Sequence, residues 1–137
     1  MSTVDASVVT SALVADDVHF AVSRPWLQSW VASGNTIYAP TLILAEVAGA
    51  IARRTGDPAA GRRGIIRVRR LSTLSLVALD ERLAEDAAQL AADLRLRGAD
   101  AVYVAVARRF GVPLVTWDQE QLQRGAAVVA TRPPATI

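Results

Sequence analysis

Short apolar runs rich in valine, leucine and isoleucine alternate along this chain with stretches of helical periodicity, and that alternation constrains the fold most. Strands separated by helices pair in parallel, and a parallel sheet needs helices on both faces to bury it. Five runs read as strands: Ser2 to Asp5, Thr36 to Ala39, Leu74 to Leu79, Val112 to Trp117 and Ala126 to Ala130. The first helix is expected over Val8 to Ala15, capped by Asp5 or Ser7. A second opens at Ser23-Arg24-Pro25, with Pro25 at the first helical position and Trp26, Leu27, Trp30 and Val31 on one face. A long helix runs from Pro40-Thr41 to Arg53 or Arg54, and a basic one follows the Gly56-Asp57-Pro58 turn to about Arg70. Asp80-Glu81 starts a helix with Leu83, Leu90 and Leu94 in register, and Gly98 sits where a terminating glycine belongs. Asp100 begins the next helix, which Gly111 closes, and Asp118 to Leu122 makes a helical turn.

With 137 residues, 52% of them apolar and 20% charged, the chain suits one core and is too apolar for disorder. We expect a single α/β domain over residues 1–137, its sheet of five parallel strands, with a frayed tail from about residue 131. The chain has no cysteine, which removes disulfides, thiolate metal sites and cysteine nucleophiles. All fifteen basic residues are arginine. Phosphotransfer and dehalogenase-like hydrolases, receiver domains and phosphate-loop proteins use a lysine, so its absence argues against all of them. No run of about 20 apolar residues and no secretory leader is visible, so a soluble, cytoplasmic protein with no membrane partner is expected.

Four acids stand nearly alone in apolar sequence. Asp5 is the only charge before Asp16, Glu46 the only one between Arg24 and Arg53, and Asp100 the only one between Arg97 and Arg108. Asp118 follows Leu114-Val115-Thr116-Trp117, with Glu120 as its near neighbour. A carboxylate in dry surroundings is costly unless paired, protonated or bound to a cation. Asp5 and Asp118 each end an expected strand, where ligands of open α/β sheets bind. Asp100 starts a helix after a loop, and Glu46 points in from another helix. Two carboxylates at about 4 Å repel by roughly 4 kcal/mol at an effective dielectric near 20, and a divalent cation reverses that sign. An all-oxygen ligand set selects Mg²⁺ or Mn²⁺. The bland alternatives are that Asp5, Asp100 and Asp118 are only helix caps, and that Glu46 is exposed or paired with an arginine.

Four segments carry a resemblance: Val4-Asp5-Ala6-Ser7, Pro40 to Val47 around Glu46, Ala99 to Ala107 around Asp100, and Leu114 to Asp118. In order and spacing they resemble the PIN-domain ribonucleases, and within these the VapC-type toxins of bacterial toxin–antitoxin pairs, over essentially the whole chain. The resemblance implies a three-layer α/β/α fold with a five-stranded parallel sheet and a Mg²⁺- or Mn²⁺-dependent endoribonuclease. In that activity, water activated by the cation attacks an RNA phosphodiester. It makes Asp5 and Asp100 the principal metal ligands, with Glu46 and Asp118 joining directly or through water. Thr116 is the hydroxyl that orients the Asp5 end, assisted by Ser7, although Trp117 is bulky for its place between hydroxyl and acid. It also implies a cognate antitoxin and a homodimer. A PIN-like module that binds RNA or protein without cutting is the alternative.

Seven arginines (Arg53, Arg54, Arg62, Arg63, Arg67, Arg69 and Arg70) fall within eighteen residues, opposed only by Asp57. Arg62, Arg63, Arg67 and Arg69 are the candidates for RNA phosphate contacts, against the alternatives of a solvated face or an antitoxin-docking surface. His19, the lone histidine, reads as structural. Trp26 and Trp30 read as core or dimer contacts.

Overall fold

A computed structural model describes residues 1–135. Its elements are β1 (Ser2–Val4), α1 (Ala6–Leu13), α2 (Phe20–Ala32), β2 (Ile37–Pro40), α3 (Ile43–Thr55), α4 (Pro58–Arg69) and β3 (Leu74–Val77). They continue with α5 (Glu81–Leu94), α6 (Gly98–Phe110), β4 (Leu114–Val115), α7 (Gln119–Arg124) and β5 (Thr131–Arg132). The five strands form one sheet in the order β3-β2-β1-β4-β5, and every pairing is parallel. The α/β architecture expected from the strand–helix alternation is therefore the one observed.

This strand order decides where a site can form. From β1 the chain steps outward through β2 to β3, then returns past β1 to lay down β4 and β5 on its other side. The connections diverge between β1 and β4, which leaves a crevice at the carboxyl ends of those two strands. Asp5 and Thr116 are the residues immediately after β1 and β4.

Burial follows from position. All three residues of central β1 are fully buried, as are Leu114 and Val115 of β4. Helix α6 buries every residue from Ala101 to Val106 and also Ala107. It packs against α5 and lies over β1, β2 and β4, so its apolar surface extends well beyond one stripe. Helices α3 and α4 form a tight antiparallel-type neighbour pair in which a Cβ on Gly61 would come within 2.6 Å of the Ala48 carbonyl oxygen. No helix is long and apolar enough to cross a membrane, among the described residues.

Several expected boundaries move. Helix α2 starts at Phe20, so Pro25 lies inside it, not at its start. The backbone of residues 17–19 already receives the opening turn: Phe20 N–H donates to Asp17 O at 3.0 Å and Ser23 N–H to His19 O at 2.8 Å. Helix α5 ends on Arg95, which itself takes the left-handed conformation (φ 55°), so Gly98 is free to be the first residue of α6. Asp100 accordingly sits in the first turn of α6 and does not open it. The fifth strand is not Ala126 to Ala130. Gly125–Ala127 makes a 3-10 turn, and the chain reaches β4 only at Thr131, which pairs with Leu114. Thr131 and Arg132, read as the start of a tail, thus belong to the sheet; residues 136–137 of that tail lie outside the described residues.

Candidate active site

Asp5 leaves β1 and caps α1, its Oδ2 accepting the Ser7 N–H at 3.1 Å. The bland reading is thus true of it, and it is not the whole account. The same Oδ2 accepts the Thr116 hydroxyl at 3.2 Å, and Oδ1 accepts Gln121 Nε2–H at 3.3 Å. Asp5 is only 6% exposed, and Thr116 and Gln121 are fully buried. Thr116 Oγ1 also accepts the Asp118 N–H at 3.0 Å and lies 3.4 Å from Ser7 Oγ, which itself accepts the Trp117 N–H at 3.1 Å. With its own proton on Asp5, Thr116 is left to accept from Ser7. The result is a chain of hydroxyls ending on one carboxylate oxygen.

Asp100 arrives from the first turn of α6 with a side chain 14% exposed. Its Oδ1 accepts from the same Gln121 Nε2 at 3.3 Å, and its main-chain oxygen stands 3.4 Å from that nitrogen. One amide nitrogen therefore lies between two carboxylates from opposite ends of the sequence. The partner atom Gln121 Oε1 is buried with no hydrogen-bond partner. Turning the amide over would place that oxygen between two anions, so the charges dictate the orientation. Asp100 Oδ2 meets Arg97 Nε at 3.3 Å, and the same guanidinium reaches Asp118 Oδ2 at 3.6 Å. Asp118 is the cap of α7, accepting the Gln121 N–H at 2.8 Å.

Glu46 projects from α3 and accepts the Tyr103 hydroxyl at 2.6 Å. Its carboxyl is pushed above the ordinary value, first by burial; the Tyr103 hydrogen bond opposes this, and the charges of Asp5 and Asp100 add to it. Asp100 is raised too, by burial and then by the charges of Asp118 and Asp5, with Arg97 opposing. Tyr103 is held neutral, chiefly by burial and also by Asp5 and Glu46, so it serves as a fixed donor.

These groups share a cleft of about 610 Å³, lined by Asp5, Ser7, Glu46 and Asp100 and also by His19, Trp117, Arg53 and Arg54. Asp118 stands beside it, joined through Arg97. The structure thus brings Asp5, Glu46, Asp100, Thr116 and Ser7 together and places Asp118 at the margin. It does not bring Arg62, Arg63, Arg67 or Arg69 to the acids. These lie on α4, where Arg63 faces Asp57 at 3.6 Å and Arg67 lines a separate groove with Arg24 and Arg70. Besides Arg97, which pairs with Asp100 and Asp118, the arginines at the acid cleft are Arg53 and Arg54, from the end of α3.

The donors on offer to a cation are carboxylate oxygens, which suit Mg²⁺ or Mn²⁺ and not zinc. The carboxyls of Asp100 and Glu46, raised by burial and by their acidic neighbours, mark a place short of positive charge. Among the described residues, no three acidic or imidazole groups already stand close enough to hold one ion. Arg97 engages Asp100 Oδ2 and Tyr103 engages Glu46 Oε1, so a cation between Asp5 and Asp100 would draw on the oxygens that face Gln121.

Gln121, Tyr103 and Arg97 had no assigned role in the sequence. The only signals were an amide three positions after Asp118, an aromatic hydroxyl three positions after Asp100, and an arginine three positions before it.

The sequence profile of the family described as PIN domain matches residues 3–127. No curated protein matches the chain. Among solved structures, similarity extends to the sarcin–ricin loop cleaving toxin VapC20 of Mycobacterium tuberculosis, with 21% identity and a TM-score of 0.75 over 97% of this chain and 100% of that one. FitAcB of Neisseria gonorrhoeae is similar with 19% identity and a TM-score of 0.72, over 98% of each chain. A toxin–antitoxin complex from Klebsiella pneumoniae is similar with 17% identity and a TM-score of 0.70, over the full length of both chains. At such identities these likenesses speak for the fold.

Proposed function

The chain belongs to the PIN domain family, and from that premise and the geometry of its acids we propose that it is a Mg²⁺- or Mn²⁺-dependent endoribonuclease. In this reading it is the toxin of a toxin–antitoxin pair. The observation that carries the reading is the meeting of Asp5 and Asp100 on one buried amide nitrogen at the carboxyl ends of the central strands. Two similar structures support it further, one of a toxin that cleaves the sarcin–ricin loop and one of a toxin–antitoxin complex.

Asp5 and Asp100 are the residues that would hold the cation, with Glu46 and Asp118 joining directly or through water. A bound divalent ion supplies an activated water and neutralises charge on the phosphate and the leaving oxygen. The protein's own groups do the positioning. Thr116 and the Ser7 N–H fix one oxygen of Asp5, leaving the other turned toward Asp100. Tyr103 holds Glu46 at the cleft, where its raised carboxyl can accept a proton from water near neutral pH more readily than an ordinary glutamate. Arg97, 76% exposed, balances Asp100 and Asp118 and has room to turn toward a phosphate. No side-chain nucleophile is required.

The test is RNA cleavage by the purified protein in Mg²⁺ and in EDTA, alongside Asp100→Asn. Wild type should cut only with the cation, and the folded variant should not cut. Cleavage by Asp100→Asn at the wild-type rate, or cleavage in EDTA, would defeat the assignment. An antitoxin partner, a homodimer and a cytoplasmic setting belong to the same proposal. Co-purification with the product of an adjacent small reading frame, and light scattering of the purified chain, are the corresponding checks.

A further inference from the structure

His19 and Trp117 form a feature that the cutting chemistry does not use. Their rings are parallel within 6°, with centroids 3.8 Å apart, and both line the cleft that holds the acids. The indole is fixed from two directions: Nε1–H donates to Ser23 Oγ at 2.8 Å, and the backbone N–H donates to Ser7 Oγ at 3.1 Å. His19 is tied down through its backbone N–H to Asp17 Oδ1 at 2.7 Å, and Asp17 is ion-paired with Arg54 of α3. Trp117 directly follows Thr116, whose hydroxyl holds Asp5, so the stack is built onto the acid site itself. One side of Trp117 packs against the core. Both rings nevertheless stay half-buried and line the open cleft.

A rigid aromatic face next to free positive charge is how single-stranded nucleic acid is held, with bases stacked and phosphates paired. The charge is present: Arg53 lines the same cleft, is exposed, and pairs with no carboxylate among the described residues. We propose that the His19–Trp117 stack is a base-binding subsite, which takes one unpaired nucleobase of the RNA beside the scissile phosphate while Arg53 holds a flanking phosphate. The inference rests on the ribonuclease reading and adds to it the residues that would hold a base. The RNA must be single-stranded there, because a paired base has its faces covered by its neighbours in the helix.

The experiment is equilibrium binding, measured in EDTA so that no cutting intervenes, of a labelled unstructured RNA of roughly 12 nucleotides and of the same strand annealed to its complement. His19→Leu keeps bulk against the indole and removes the ring; His19→Phe keeps a ring. The subsite requires His19→Leu to bind the single strand at least about 5-fold more weakly, within the range of about 5- to 150-fold for a lost base stack. His19→Phe should retain most of the affinity, and the duplex should bind more weakly than the single strand. Arg53→Gln should reduce the slope of log affinity against log salt by about 0.7. Equal binding by His19→Leu and wild type, or equal binding of duplex and single strand, overturns the subsite. If wild type cuts RNA while His19→Leu binds normally, only the subsite falls. If wild type neither binds nor cuts RNA, the ribonuclease reading falls and the subsite with it.

Discussion

Replacing Asp100 with asparagine should make the cation-free protein more stable, and magnesium should reverse the order. Asp5 Oδ1 and Asp100 Oδ1 each lie 3.3 Å from one nitrogen, which places them less than about 7 Å apart. Two charges at that separation repel by about 2 to 3 kcal/mol at an effective dielectric near 20. Asparagine removes that repulsion and keeps an oxygen for Gln121 Nε2. It also loses the pair with Arg97, but that guanidinium is 76% exposed and such pairs contribute about 0 to 1 kcal/mol. The variant should therefore gain about 1 to 3 kcal/mol in EDTA, or roughly 3 to 10 °C in Tm for a chain of this length. At a Mg²⁺ concentration about 100 times the dissociation constant, wild type gains about 2.7 kcal/mol, and the variant, short of a ligand, gains less. Scanning calorimetry of both proteins with EDTA and with Mg²⁺ reads all four values. A lower Tm for Asp100→Asn in EDTA, or a wild-type Tm indifferent to Mg²⁺, would mean that Asp5 and Asp100 do not repel each other across a cation site.

Tyr103→Phe removes the donor to Glu46 Oε1 and should destabilise the fold by about 1 kcal/mol in urea titrations, because a half-buried carboxylate loses its partner. It should also move the acid limb of cleavage to higher pH, since the hydrogen bond that opposes the rise in the Glu46 pKa is gone. Gln121→Glu puts a third carboxylate between Asp5 and Asp100, so Tm should fall in EDTA and the Mg²⁺ needed to restore it should also fall; an unchanged Tm would speak against the two acids sharing that nitrogen. The pH dependence has a defined sign. Asp100 and Glu46 are raised in the folded state, so their protonated forms favour folding, and this contribution is present below their ordinary values of 3.8 and 4.5. It is lost as pH rises through the raised values, whereas cation binding and cleavage are gained over the same window. Calorimetry in EDTA at a series of pH values should show wild type losing stability across that window more than Asp100→Asn does.

The sequence displayed the sheet because short strand-like runs such as Leu74 to Leu79 and Val112 to Trp117 alternate with helical patterns, although central β1 is only Ser2-Thr3-Val4 and buries two hydroxyls. It misplaced the fifth strand because Ala126 to Ala130 is as apolar as a strand, while the observed β5 is a two-residue edge too short to show any periodicity. Pro25 and Gly98 misled for a related reason. Each is a strong local signal, yet the backbone of residues 17–19 could begin a helix earlier, and Arg95 could supply a left-handed terminus without glycine. The acids were legible because a charge isolated in apolar sequence stands out. Gln121 and Tyr103 were not, since an amide after a cap reads as helix surface and a tyrosine among valines and alanines reads as core. Arginine density pointed to α4, but proximity to the acids depends on where α3 ends, and that brings Arg53 and Arg54 to the cleft.

The most direct measurement is anomalous diffraction from crystals equilibrated with Mn²⁺. A peak between Asp5 and Asp100, about 2.0 to 2.3 Å from an oxygen of each, is the expected result, with Glu46 or Asp118 contacting it directly or through water. Manganese bound only at other surface carboxylates, or none bound at millimolar concentration, would contradict the claim that these acids exist to hold a cation.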